Sequence, residues 1–200
     1  MTTILLLAGA LIALAGSVPY IWATYKGRVR PQLVSWAVWG VLTGVMTISA
    51  YMSGVRASTL LSLASCIACL MIVVLGWRQG KLRITKLDVG CLLGACAGIA
   101  ALVVLHNPTM ALVVSVAVNV IAFAPTVRHS IQAPNEESLI CYVCAVVAAA
   151  VLFGVSVYSH AGFVGMVYPF ASMTCNGGIA VLLIAGRVVA KRRAAVGVVE

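Results

Sequence analysis

The polar side chains best placed to do chemistry in this sequence are amides and hydroxyls inside long apolar stretches. Asn176 and Asn119 fall in the middle of two such stretches, and Thr43 and Thr47 share one face of a third. A buried amide is costly unless it is hydrogen-bonded. Each amide therefore lines a polar cavity and binds a small solute, or bonds a neighbouring helix. The threonines face the same choice, with their own helix backbone as the usual partner.

Ionisable groups are missing from the centres of these stretches. No Asp, Glu, Lys or Arg lies mid-stretch, although such residues usually mark proton relays and ion pathways. Paired carboxylates, a histidine cluster and an activated nucleophile are also missing there. The pairs Cys66/Cys69 and Cys141/Cys144 have a metal-like spacing, but we expect them to pack as small apolar residues. The sequence predicts no enzyme, no proton-coupled pump, no metal and no cofactor.

The composition of this chain indicates that its surroundings are lipid and not water. It is 63% hydrophobic and 8% charged, whereas soluble domains carry about 25% charged residues. The lipid bilayer is therefore the expected partner, and 200 residues hold about seven spans of roughly 20 residues each. Backbone groups in lipid need internal partners, so we predict an all-α polytopic membrane protein. The seven predicted transmembrane helices are 3–24, 32–53, 57–77, 88–105, 109–127, 139–157 and 163–186.

The basic residues predict an orientation. The net charge is +9, but the charges are spread between spans and form no single patch, so we expect no nucleic-acid partner. Twelve of the 13 Lys and Arg residues fall on one side of the predicted spans, and Arg56 alone falls on the other. The positive-inside rule then places the N-terminus outside and the C-terminus in the cytoplasm of a plasma or inner membrane.

Two proline-interrupted spans lie 106 positions apart. Pro19 and Pro125 stand near the ends of the first and fifth spans, and each could be a hinge or a fixed kink. A loop containing Pro-x-x-x-Ser follows each span, at Pro31 to Ser35 and Pro134 to Ser138. Paired interruptions in corresponding halves are typical of secondary transporters.

This repeat predicts a 3+1+3 parallel arrangement. Residues 1–77 form the first triple-helix repeat, and residues 109–186 form the second. Between them lies a linker helix with its loops, 78–108, and a basic cytoplasmic tail follows at 187–200. An odd linker helix gives both triplets the same orientation.

The loops after the interrupted spans supply candidate gate residues. These are Arg28, Pro31, Ser35, Arg128, Pro134 and Glu137. Glu136 and Glu137 precede the sixth span, where negative charge suits a helix N-terminus; a gate formed with Arg128 or Lys26 is the alternative. We expect His129 to be solvated. Trp22, Trp36, Trp39 and Trp77 are expected to anchor the membrane edges.

The helix plan, the two prolines and the element Gly27-x-x-x-Pro31-x-x-x-Ser35-Trp36 together resemble the SWEET and PQ-loop superfamily. The sequence departs from that family directly after each proline, where Tyr20 and Thr126 replace the usual glutamine. The resemblance implies a solute-binding asparagine in the third and seventh helices. Asn176 matches the seventh-helix position, and the third-helix counterpart is about Cys66.

The sequence therefore predicts a carrier for a small neutral or zwitterionic solute, sugar-like or amino-acid-like. It would work by passive alternating access between the two triplets. The alternative is a non-transporting membrane receptor or assembly scaffold of the same fold. The solute and the oligomeric state stay open.

Overall fold

The computed structural model describes residues 2–52, 56–78, 86, 89–90, 92–93, 96, 100, 103–104, 108–160 and 162–196. These residues form no strand and six helices: α1 Thr2–Tyr25, α2 Leu33–Met52, α3 Arg56–Arg78, α4 Pro108–Gln132, α5 Leu139–Tyr158 and α6 Gly162–Val196. They correspond to the first three and last three predicted spans. Of the predicted linker helix, 88–105, the structure describes scattered residues, all of them helical: 89, 90, 92, 93, 96, 100, 103 and 104.

Two helices run further than their apolar stretches. α4 continues to Gln132 although Pro125 lies inside it, and α6 continues to Val196. The extension of α6 carries Lys191 and Arg192, which are good helix formers and suit the negative end of a helix dipole. The hydropathy pattern marks where a helix leaves the apolar region, and these helices continue beyond that point.

The six helices pack side by side in a closed ring. In the first half (α1–α3), α1 lies against α3 and α3 lies against α2; in the second half (α4–α6), α4 lies against α6 and α6 lies against α5. Contacts between α1 and α5 and between α2 and α4 close the ring. Both halves therefore have the same order of neighbours, and the two closing contacts join helices of different halves.

The outer surface of the ring is apolar. Ile4 and Leu11 of α1 are 70% and 66% exposed, and Val181 of α6 is 65% exposed. Exposed apolar surface on this scale is unusual for a soluble monomer. In the described part of the chain, Thr3–Tyr25, Leu139–Tyr158 and Pro169–Arg192 are long and apolar enough to cross a membrane. The structure is thus compatible with a membrane protein.

Small residues allow α1 and α5 to approach closely. A side chain at Gly16 would collide with Cys144, and one at Gly9 would lie 3.6 Å from the backbone oxygen of Ala148. Cys69 and Cys141 are both buried in one apolar cluster. Among the described residues, no group of three or more His, Cys, Asp or Glu side chains is arranged to hold a metal ion.

Candidate functional site

The two Pro-x-x-x-Ser loops meet at one end of the ring. The Arg30 amide donates to the Glu136 carbonyl oxygen at 2.7 Å, and the Arg30 guanidinium lies 3.2 Å from the Glu136 carboxylate. The first loop reaches this position after a turn at Gly27, whose φ of +69° favours glycine. We call the two loops and the helix ends beside them the loop junction. The ion pair at this junction is Arg30–Glu136, whereas the sequence suggests Arg128 or Lys26 as the basic partner.

Each loop is anchored to its own half by its proline. A Cβ at Gly76, near the end of α3, would lie 2.8 Å from the ring of Pro31. A Cβ at Gly186 in α6 would lie 2.9 Å from the ring of Pro134. Real Cβ atoms do not approach this closely, so each proline needs a glycine opposite it. The same proline-on-glycine contact therefore occurs once in each half.

A carboxyl group of the second half is buried at the loop junction. Glu137 is 1% exposed. Its Oε2 accepts hydrogen bonds from the Tyr20 hydroxyl at 2.7 Å and from the Tyr142 hydroxyl at 3.1 Å. Tyr20 belongs to α1 and Tyr142 to α5, so the first bond connects the two halves.

A second polar contact connects the halves in the opposite direction. The Thr126 hydroxyl of α4 donates to the Ser35 hydroxyl of α2 at 2.8 Å, and the Ser35 hydroxyl donates to the Ala122 carbonyl oxygen. Ser35 and Thr126 are fully buried. Tyr20 and Thr126 each directly follow the proline of their helix. Tyr20 of the first half therefore bonds Glu137, just before α5 begins, and Thr126 of the second half bonds Ser35, where α2 begins.

Arg187 holds the second loop in place from α6. Its Nε donates to the Pro134 carbonyl oxygen at 3.0 Å, and its Nη2 donates to the Glu137 carbonyl oxygen at 2.6 Å. Hydrogen bonds from a charged donor are stronger than neutral ones. The guanidinium thus fixes the backbone of Glu137 and leaves the carboxyl group to the tyrosines.

The other oxygen of this carboxyl group faces a histidine. His129 Nε2 lies 4.0 Å from Glu137 Oε1 and 3.8 Å from Glu136 Oε2. Both His129 Nε2 and Glu137 Oε1 are buried and have no hydrogen-bond partner among the described residues. Burial raises the pKa of Glu137 to about 7, while the hydroxyls of Tyr20 and Tyr142 act in the lowering direction.

These contacts correct two sequence expectations. Ser138, and not Glu137, is the N-cap of α5, and the Glu137 side chain accepts hydrogen bonds from Tyr20 and Tyr142 instead of capping the helix. Its immediate neighbour is His129, whose side chain is only 22% exposed. Sequence alone missed both features because Glu137 and His129 border apolar stretches, where hydropathy predicts solvent.

The predicted anchoring tryptophans divide into two groups. Trp22 and Trp77 are 58% and 66% exposed, as anchors would be, whereas Trp36 is 6% exposed. Trp36 packs on Tyr20 with a centroid distance of 4.9 Å, and Trp39 meets Trp36 edge-on at 5.1 Å. The anchoring prediction is wrong for Trp36 and Trp39, because both belong to the core between the halves.

The five predicted solute-binding residues lie on four helices, and four of them bond helix backbone. Asn176 Nδ2 donates at 2.8 Å to the carbonyl oxygen four residues earlier, and Thr43 and Thr47 make the same bond at 2.7 Å. Cys66 Sγ lies 3.4 Å from the Gly40 carbonyl oxygen of α2. Asn119 is 8% exposed within α4.

The two interrupting prolines occupy different surroundings. Pro19 is exposed on the outside of α1, and Pro125 is fully buried in α4. Comparison of the chain with protein-family models, curated proteins and solved structures finds no match. The site is therefore interpreted from its own geometry.

Proposed function

We propose that this chain is a membrane carrier whose loop junction is a gate. One observation carries the proposal: the halves meet there through reciprocal, breakable hydrogen bonds, Tyr20 to Glu137 and Thr126 to Ser35. Alternating access needs two rigid units joined by contacts that can open at one end. The proline anchors, by contrast, lie within each half and keep each loop with its own triplet.

The proposal includes the 3+1+3 arrangement with the predicted linker helix between the halves. The identical order of neighbours in the two halves supports it. So does the repeated contact of a loop proline with a glycine in the third helix of the same half, Pro31 with Gly76 and Pro134 with Gly186. A parallel repeat has equivalent contacts at the same end of both triplets, as these are.

The loop junction is proposed to face the cytoplasm. Arg30, Arg128 and Arg187 belong to this end of the ring, and twelve of the chain's 13 Lys and Arg residues fall on the same predicted side. The positive-inside rule assigns that side to the cytoplasm of a plasma or inner membrane, with the N-terminus outside. In this conformation the cytoplasmic gate would be closed.

The proposed solute is small and neutral or zwitterionic. Asn176 and Asn119 offer amides, and Thr43, Thr47 and Cys66 offer smaller polar groups. A solute would compete with the backbone bonds that Asn176 and the threonines make now. These bonds are weak enough to exchange, since a net intramolecular hydrogen bond is worth about 0.5–1.5 kcal/mol.

The same backbone bonds favour a second candidate, a non-transporting receptor or scaffold. A chain whose mid-helix polar groups are satisfied by helix backbone needs no solute to balance them. Such a protein would keep the loop junction closed permanently.

Counterflow in proteoliposomes separates the two candidates. Purified protein would be loaded with one unlabelled sugar or amino acid at a time, and uptake of the labelled solute would be followed. The carrier proposal expects uptake above protein-free vesicles for at least one solute, reduced by Asn176→Ala. No counterflow of any solute, while a control carrier works in the same vesicles, would favour the scaffold.

A further inference from the structure

One oxygen of the Glu137 carboxyl group, Oε1, has no hydrogen-bond partner among the described residues. Oε2 accepts hydrogen bonds from both tyrosine hydroxyls. In the described structure, Oε1 and the nearby His129 Nε2 are buried without a hydrogen-bond partner. We propose that Glu137, facing His129, is a proton-binding site of the loop junction, holding a proton while the two halves are joined and losing it when they part.

The geometry assigns the proton to Oε1. The phenol groups of Tyr20 and Tyr142 donate to Oε2, so a proton there would displace at least one of them. Oε1 has no donor among the described residues, and a buried carboxylate with one bare oxygen is strongly disfavoured. Protonation of Oε1 removes the charge and keeps both tyrosine bonds.

Charged, titratable or hydrogen-bonding groups from every neighbouring element lie close to the Glu137 carboxyl group. They are Tyr20 from α1, the Gln32 amide and the Arg30–Glu136 pair from the loops, His129 from α4, Cys141 and Tyr142 from α5, and Arg187 from α6. Arg187 carries a positive charge beside Glu137, and it bonds the backbone oxygen and not the carboxylate. The positive charge of Arg30 is paired with Glu136. The carboxylate lies 4.0 Å from His129 Nε2, which is a charged partner only when the imidazole is protonated. Burial is the largest influence on this carboxyl group, and it raises the pKa to about 7.

His129 offers a route from the buried site to water. Its Nε2 lies between Glu137 Oε1 at 4.0 Å and Glu136 Oε2 at 3.8 Å, and the Glu136 side chain is 35% exposed. Both gaps exceed a direct hydrogen bond, so transfer needs a bridging water or a small rotation of the ring. In the step, the Oε1–H bond breaks, His129 or water takes the proton, and water carries it away. The remaining carboxylate is solvated once the halves separate.

The direction of the pH effect follows from these two environments. A solvated glutamate has a pKa of 4.5, and the buried one has a pKa of about 7. The joined state therefore binds the proton more tightly than the separated state. Proton binding stabilises the joined state relative to the separated state, and this stabilisation is fully present below about pH 4.5. That stabilisation declines as the pH rises and is lost above about pH 7. Linking this release to solute movement rests on the proposed carrier function.

Infrared titration tests the proton site without any solute. The chain has only four acidic side chains, so its protonated carboxyl band can be assigned with few variants. Full-length protein in lipid nanodiscs would be titrated from pH 5 to 9. We expect a protonated carboxyl band that disappears with a midpoint near pH 7, is missing in Glu137→Gln and is retained in the matched control Glu136→Gln.

A further variant keeps the test decisive if Glu137→Gln does not fold. Tyr142→Phe retains the carboxyl but removes one bond that favours its charged form, so the midpoint should move upward. The proposal is overturned if no carboxyl titrates above about pH 5.5, or if the band survives Glu137→Gln. If the carboxyl band titrates as expected but the protein shows no counterflow, the proton site is supported. The carrier function is then rejected.

Discussion

The two polar contacts between the halves are built alike but differ in chemistry. Tyr20 reaches Glu137 from one side, and Thr126 reaches Ser35 from the other. Each donor directly follows a proline, and each acceptor lies where a second helix begins. The Ser35 side contains hydroxyls and a carbonyl, none of which ionises near neutral pH, whereas the Glu137 side contains a carboxyl. A symmetric junction thus carries a pH-sensitive contact on one side only.

The prolines show the same asymmetry in their packing. Pro125, beside the hydroxyl contact, is fully buried, while Pro19, beside the carboxyl contact, is exposed. Bending at Pro19 therefore disturbs less packing than bending at Pro125. This difference favours the α1 side as the part of the junction that moves first.

Replacing the carboxyl should produce the largest effect. Glu137→Leu leaves the buried hydroxyls of Tyr20 and Tyr142 without their acceptor, at about 1–3 kcal/mol for each group. Thermal unfolding in detergent should show a clear loss of stability. Adding Tyr20→Phe and Tyr142→Phe to the same variant should recover most of it, because no polar group then remains unpaired. Equal stability of the single and triple variants would show that the tyrosine bonds contribute little.

Disrupting the contacts of the two loop prolines should cause the second-largest loss of stability. Gly186→Ala or Gly76→Ala forces a methyl group against a proline ring, and overpacking of this kind costs about 1–3 kcal/mol. Gly154 is the matched control, since a Cβ there meets nothing within 4 Å. Gly154→Ala should be neutral or slightly stabilising in a helix. Melting temperatures of the three variants would check the ranking, and a control that loses as much as Gly186→Ala would contradict it.

Breaking the hydroxyl contact between Thr126 and Ser35 should have a smaller effect, and this effect should not depend on pH. Ser35→Ala leaves the Thr126 hydroxyl without its acceptor, at about 1 kcal/mol. Hydrogen exchange at the Arg30 amide, which donates across the junction to the Glu136 carbonyl oxygen, reports opening of the loop junction once it is corrected for the intrinsic rate. The loss of protection in Ser35→Ala should be the same at pH 5 and pH 8. In Tyr20→Phe, by contrast, the loss should be larger at pH 8, where the carboxylate needs that donor. A pH-dependent loss in Ser35→Ala would remove the distinction between the two sides.

The surface ion pair should have the smallest effect. Arg30 and Glu136 side chains are 48% and 35% exposed, and pairs of this kind contribute about 0–1 kcal/mol. Arg30→Gln should change melting by little, and the change should shrink further in high salt. The backbone bond from the Arg30 amide remains in this variant. A large, salt-independent loss would mean that the guanidinium has a further role.

Hydropathy predicted six helices well because lipid exposure dominates the sequence of each span. α2 and α5 begin within one residue of their predicted starts, each preceded by a Pro-x-x-x-Ser loop. The paired prolines also pointed to the two loops, which contact each other in the structure. The predicted linker helix and the seven-helix count stay predictions.

The buried carboxyl could not be predicted in the same way. Glu137 stands beside Glu136 in the sequence, and only the meeting of the two loops buries one and exposes the other. Its donor Tyr20 is 117 positions away, and no local pattern joins them. One signal was present in the sequence: Tyr20 and Thr126 each directly follow the proline that interrupts a span. Both turned out to be the residues that connect the halves.

A reversible disulfide across the loop junction tests whether this junction must open for transport. The hydrogen bond of 2.7 Å between the Arg30 amide and the Glu136 carbonyl oxygen brings these two backbones within reach of a disulfide. Arg30→Cys and Glu136→Cys would be combined in a chain whose seven native cysteines are replaced, with Arg30→Cys alone as the control. We expect oxidation to stop counterflow in the double variant and reductant to restore it. Full counterflow by completely cross-linked protein would contradict the gate.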